Sequence, residues 1–217
     1  MKHALIVYGG WPGHDPEGLA EVFSEILLAE GFHVTRSDSL ESLSGDLTGY
    51  DLLIPIWTMG SISSEVERNL CNAVASGVGL AGCHGGMCDA FRGSTDWLFM
   101  TGAQWVAHPG NAGVTYEVRI CREAESEITR GIGDFKIQSE QYYMLVDPAV
   151  RVLATTEFPV ADGPHAPNGR VDMPVVYTKL WGKGKIFYSS LGHDRHVFDI
   201  PEARELMRRG FLYAARG

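Results

Sequence analysis

Three of the eight histidines in this 217-residue chain follow short apolar runs that end in glycine-rich turns: His14, His84 and His193. Imidazole titrates near neutral pH and can serve as base, donor or metal ligand, so histidines gathered at strand ends are candidates for a shared polar site. The sharpest local feature is Gly82-Cys83-His84-Gly85-Gly86. Its form is the strand-to-helix elbow, where small flanking residues let two backbones crowd and a strained central residue is held exposed at the top of a sheet. The central residue is His84, and a following helix N-terminus would favour its neutral form. Cys83 precedes it, and strand alternation should turn that thiol into the sheet packing. A cysteine hydrolase built on Cys83 is therefore one residue out of register. The structural alternative is a glycine-rich turn carrying a bystander histidine.

The elements that must position these residues read as strands alternating with helices. Ala4–Tyr8 is a continuous apolar run suited to a strand buried on both faces. Asp15 as N-cap and Pro16 in the first turn open a helix whose Leu19, Val22, Phe23, Ile26 and Leu27 share one face, with Gly31 placed to end it. Phe32–Thr35 and Asp51–Ile56 read as strands, Ser63–Ser76 as a helix and Val78–Gly82 as a fourth strand. This alternation predicts βαβ units in one parallel sheet. In the second half, Val114–Ile120, Phe135–Ser139, Val150–Thr156 and Val175–Lys179 lack long helices between them and predict antiparallel additions. Lys179–Tyr188 reads as a hairpin turning at Gly182-Lys183-Gly184, and Pro201–Ala215 as a closing amphipathic helix. We read residues 1–217 as a single domain, with no linker or repeat.

Composition narrows the function classes. Eighteen basic against 27 acidic side chains give a formal charge of −9, without basic clusters. That balance argues against nucleic-acid or anionic-membrane partners. The uncharged stretch Leu70–Cys88 holds five glycines and splits into a helix and a strand, so it is not a membrane span. No dinucleotide or triphosphate phosphate loop is present. Four cysteines without scaffold spacing and a strand-like N-terminus predict a reducing, cytoplasmic setting. Cys83 and Cys88 are spaced C-x4-C, but Cys71 and Cys121 form no second pair, so a cysteine zinc site is not expected. Glu140 and His108 stay open on local grounds: each is a possible site residue or a solvated side chain.

The ordered set of segments resembles the ThuA family, the trehalose-utilisation proteins similar in fold to class I glutamine amidotransferases. The resemblance rests on Gly13-His14-Asp15, Gly82-Cys83-His84, Ala107-His108-Pro109 and Asp134-Phe135 followed by Glu140-Gln141-Tyr142. It continues through Pro174-Val175-Val176-Tyr177 and Gly182–Asp194, in family order across nearly the whole chain. The sequence departs from the family at Gln141, where an aliphatic residue is more usual. The resemblance implies an α/β fold: a flavodoxin-like parallel sheet of the amidotransferase type, flanked by helices. It also implies that the amidotransferase nucleophile is missing, since the elbow holds His84. The family's link to disaccharide catabolism implies a small-molecule sugar, or its 3-keto derivative, as substrate.

With that resemblance, His84 and Glu140 are the candidate catalytic acid/base pair. His14, Asp15, Trp57, His108, Tyr142, His193 and Asp194 are candidate substrate-binding residues. Trp57, Trp105 and Tyr142 lie nearest the predicted rim, where aromatic planes pack on sugar C–H faces; the alternative is that they fill loop cores. His14, His84, His108 and His193 could hold a divalent metal such as zinc if they converge. The rival to an enzyme is a non-catalytic sugar-binding or regulatory module on the same fold. A homo-oligomer is compatible with the sequence.

Overall fold

The computed structural model describes residues 1–217. In chain order the elements are β1 His3–Gly10, α1 Pro16–Ala29, β2 His33–Ser37, β3 Leu52–Thr58, α2 Ser64–Ser76 and β4 Gly79–Cys83. The short helix α3 His84–Cys88 then leads to α4 Thr95–Thr101, β5 Ala103–Ala107, β6 Thr115–Ile120, β7 Phe135–Gln138 and β8 Tyr143–Val146. Last come β9 Arg151–Phe158, β10 Val171–Trp181, β11 Gly184–Ser189 and α5 Pro201–Ala214. Nine strands form one sheet in the order β2-β1-β3-β4-β11-β10-β9-β6-β7, while β5 and β8 pair as a separate ribbon.

The first five strands of that order run parallel, and the remaining four alternate in direction. This is the α/β sheet with antiparallel additions that the sequence predicts. Period-two burial explains why β1 is apolar throughout: Ala4 and Ile6 pack into one layer, Leu5 and Val7 into the other. The first layer is closed by Leu19, Phe23 and Leu27 of α1 with Leu206, Met207 and Phe211 of α5. The second is closed by Leu70 and Val74 of α2 and Trp97 of α4. The hairpin turns between Trp181 and Gly184, as expected. Helix α4 and the β5–β8 ribbon have no counterpart in the sequence reading. No helix is long and apolar enough to cross a membrane.

Two features of the topology decide where a site can form. The chain leaves β1 to one side for β2 and to the other for β3, a switch point at which open sheets bind ligands beyond their strand ends. The alternation β11, β10, β9, β6, β7 also returns β7 to the direction of the parallel strands. Whatever follows β7 therefore emerges on the same rim as the residues that follow β1, β3, β4 and β11.

The packing of α5 gives a test. Glycine inside a helix ordinarily costs about 1 kcal/mol relative to alanine. A Cβ at Gly210, however, would lie 2.2 Å from the Phe187 ring. Gly210→Ala is thus expected to destabilise the protein by about 1–3 kcal/mol in chemical denaturation, reversing the usual sign. Adding Phe187→Leu should recover part of the loss.

Candidate functional site

Four connections deliver histidines to one point, and a fifth delivers a carboxylate. His14 ends the short turn after β1; its Nδ1 lies 2.8 Å from the Thr58 hydroxyl at the end of β3. His84 begins α3 at the end of β4 with φ +47°, the strained elbow geometry that its glycine neighbours permit. His193 lies beyond β11 and His108 just beyond β5. Glu140 follows β7. Its carbonyl accepts the Tyr116 hydroxyl at 3.1 Å, which fixes the backbone as it crosses the rim.

One oxygen of Glu140, Oε2, faces all four imidazoles: His84 Nε2 at 3.1 Å, His108 Nδ1 at 3.1 Å, His193 Nδ1 at 3.5 Å and His14 Nε2 at 3.9 Å. The carboxylate and the rings of His14 and His84 are buried; His193 and His108 form the wetter side. Tyr142 stacks on His84 with ring centres 3.9 Å apart and seals the inner wall. Burial pushes the Glu140 carboxyl up, but the facing His193 and His84 imidazoles outweigh it and hold the group well below the usual carboxylate range. Burial, then the neighbouring His84, lowers His14 to about 3. Burial likewise lowers His84, whereas the facing Glu140 carboxylate raises His193.

The tautomer of His84 carries chemical information. Its Nδ1 lies 2.9 Å from the Ser190 carbonyl, which can only accept, so Nδ1 bears the proton. In the neutral ring favoured by burial, Nε2 is then a lone pair aimed at a carboxylate oxygen. Two acceptors at 3.1 Å need a proton or a cation between them. Among buried side-chain atoms without a hydrogen-bond partner are His14 Nε2, His108 Nδ1 and His193 Nδ1, all three pointing at the same carboxylate. One ligand atom from each of His14, His84, Glu140 and His193 lies within 4.8 Å of the others. Four ligands about 2.1 Å from a zinc ion would stand about 3.4 Å apart in tetrahedral geometry. The separations from Glu140 to the three rings, 3.1 to 3.9 Å, bracket that value. The donor set fits a divalent cation of the zinc class.

The remaining candidates have other placements. The Asp15 carboxylate is engaged by Arg195, Nε–Oδ2 2.6 Å and Nη2–Oδ1 3.1 Å. Asp15 also does not cap α1 through its side chain, as its position had suggested; it has φ +45° and forms no cap hydrogen bond. Asp194 caps the short turn after it by accepting the His196 N–H, and the His193 ring faces Glu140 instead. The Trp57 ring lies over the backbones of Gly9 and Gly60, on the face of β3 opposite Thr58. Trp105 packs beside His108 and Tyr142 with Arg92 over its ring. His84, expected to be exposed at the elbow, is 1% exposed, because Tyr142 and the Glu140 segment cover it.

The ThuA family profile, described as trehalose utilisation, matches residues 3–214. The chain belongs to the ThuA family. That membership carries a carbohydrate-related role. Among solved structures, a ThuA-like protein from Parabacteroides merdae ATCC 43184 aligns with TM-score 0.77 and 20% identity over 99% of this chain and 89% of that one. A ThuA-like protein from Bacteroides uniformis ATCC 8492 aligns with TM-score 0.77 and 17% identity over 97% and 89% of the two chains. A cytoplasmic protein from Salmonella typhimurium LT2 aligns with TM-score 0.67 and 13% identity over the full length of both. At these identities the structural likeness speaks for fold alone. No curated protein matches the sequence.

Within this ThuA-family site, Thr58, Tyr116, Ser190 and Gln141 take part in ways the sequence reading missed. Gln141 is buried, donates to Thr156 Oγ1 and the Glu157 carbonyl, and accepts the Val160 N–H. Only its departure from the family pattern hinted at it. Cys83 is wholly buried in the core, and burial pushes its thiol far up, as it does that of Cys88. Iodoacetamide at neutral pH should leave both unlabelled in the native protein, as read by peptide mass spectrometry. Rapid native labelling at Cys83 would return the cysteine hydrolase to consideration.

Proposed function

We propose that this ThuA-family protein is an enzyme acting on a disaccharide or its 3-keto derivative at the Glu140 centre, with a divalent cation of the zinc class held by His14, His84, His193 and Glu140. The observation that carries the reading is the convergence of four imidazole nitrogens on one buried carboxylate oxygen. A sugar-binding module needs complementary ground-state contacts only; a buried set of titratable groups exceeds that need. When bound, the cation supplies Lewis acidity at a sugar oxygen.

The chain's own residues divide the remaining work. Glu140 and His84, read from sequence as the acid/base pair, are here the innermost groups, with His84 oriented by its Nδ1–H donated to Ser190. His108 is the most exposed of the four rings, its side chain 27% open, and stands 3.1 Å from Glu140. It is the group free to carry a proton between substrate and solvent. A keto group acidifies the adjoining C–H bond, which is the kind of proton an imidazole or carboxylate base removes. Tyr142 keeps water off the inner side of His84. The net charge of −9 and the absence of a basic patch suit a neutral sugar without nucleic acid or membrane as partner. The reading takes the protein as cytoplasmic, in keeping with the Salmonella neighbour's description.

Chelator treatment of the purified protein should abolish turnover of a 3-keto-disaccharide, and added Zn²⁺ or a similar ion should restore it. Titration should find about one ion per chain, with thermal stabilisation equivalent to about 2.7 kcal/mol at a hundredfold excess over Kd. Glu140→Gln should cut the rate by about 10²-fold or more. Full activity in metal-free protein would leave His84 and Glu140 as an acid/base pair acting alone. Disaccharide binding without any turnover would make the protein a binding module.

A further inference from the structure

Of the five tryptophans, Trp97 is buried, Trp57, Trp105 and Trp181 are half-buried, and Trp11 alone is exposed, at 43%. What sets Trp11 apart from the other exposed apolar side chains is that it stands beside the site. Its ring centre is 4.7 Å from that of His14, edge-on at 80°, so it adjoins the Glu140 cluster without entering it. The turn that carries it is tightly held. The Trp11 N–H donates to the Thr58 carbonyl at 3.2 Å, and the Trp11 carbonyl accepts the His14 N–H at 3.3 Å. At Gly13 a Cβ would lie 2.6 Å from the far edge of the indole, so only glycine lets the ring lie down over the turn. Two residues beyond Gly13, Asp15 is clamped by Arg195, which ties this turn to the His193 loop. The indole is thus preorganised rather than a loose side chain.

We propose that Trp11 is the platform on which the second pyranose ring of a disaccharide stacks while the first ring reaches Glu140. The inference rests on the sugar-enzyme reading above. His14 lies against both the indole and the carboxylate, ring centre 4.7 Å from Trp11 and Nε2 3.9 Å from Glu140, so a sugar ring on Trp11 sits one imidazole away from Glu140. Pyranose C–H faces pack on aromatic planes, and no charge is required of them. The charge near Trp11 agrees: Arg195, the nearby cation, is neutralised by Asp15 and Glu21, which leaves nothing to hold a phosphate. A platform here makes the site selective for disaccharides over monosaccharides.

The test is calorimetric titration of the zinc-loaded protein with trehalose, 3-keto-trehalose and glucose. Trp11→Ala is expected to weaken binding of the two-ring ligands by about tenfold or more, to change glucose binding by less than about threefold, and to leave zinc affinity unaltered. Trp11→Tyr should keep most of the two-ring affinity. Phe99→Ala, at an exposed aromatic on α4 away from the site, should change nothing. Unaltered two-ring binding by Trp11→Ala would overturn the platform and leave the enzyme reading standing. So would an altered molar mass in that variant with unaltered sugar affinity, which would make Trp11 a contact between copies of the chain. If wild type binds zinc but none of the three sugars, the sugar reading fails, and the platform with it.

Discussion

A buried carboxylate with one oxygen turned toward four imidazoles is the constraint around which this structure is arranged. Glu140 is 5% exposed, and a charge so placed is tolerated only where its surroundings answer it. The answer comes from connections far apart in sequence. His14, His84, His108 and His193 each approach from a separate strand end, and no two are closer than 24 residues in the chain. The cluster can form only when the sheet does, so folding and site assembly are one event.

Close approach of backbone at the rim is what lets so many rings share so little space. At Gly85 a Cβ would lie 2.8 Å from the His14 ring and 3.0 Å from the Thr58 hydroxyl, so the second glycine of the elbow is a spacer for the neighbouring histidine. Gly192 plays a similar part against Cys83, with φ +110° that side chains rarely adopt. The strained conformation of His84 is held by Tyr142 stacking and by its bond to Ser190. Strain of this kind persists where the surroundings over-determine it.

The loops that bear the site are bound to one another as well as to the sheet. Arg195 links the His193 loop to Asp15 beside His14, passing so close to Gly18 that a Cβ there would collide with the guanidinium. Gln141 ties the Glu140 segment to β9 and to Val160 through all of its polar atoms. These ties limit how far the rings can drift from the geometry a cation or substrate requires.

Periodicity and turn chemistry determined much of this molecule from the sequence alone. The continuous apolar run of β1, the helical spacing from Leu19 to Leu27, the Gly182-Lys183 hairpin and the G-x-His-x-G elbow are local patterns, because burial on two faces, on one face, or in a tight turn each demands its own residue spacing. Rim histidines were legible by the same logic, since the end of a parallel strand is a place the sequence marks. What only the tertiary structure decided is which side chains meet. Asp15 and Asp194, beside histidines in sequence, turn to Arg195 and to the backbone of His196. Glu140 could not be told from a solvated glutamate on local grounds. Its position depends on an even number of direction reversals between β11 and β7, which brings its strand end to the rim of the parallel strands. Strand order and direction are set by long-range pairing, which leaves no signature in the few residues around a carboxylate.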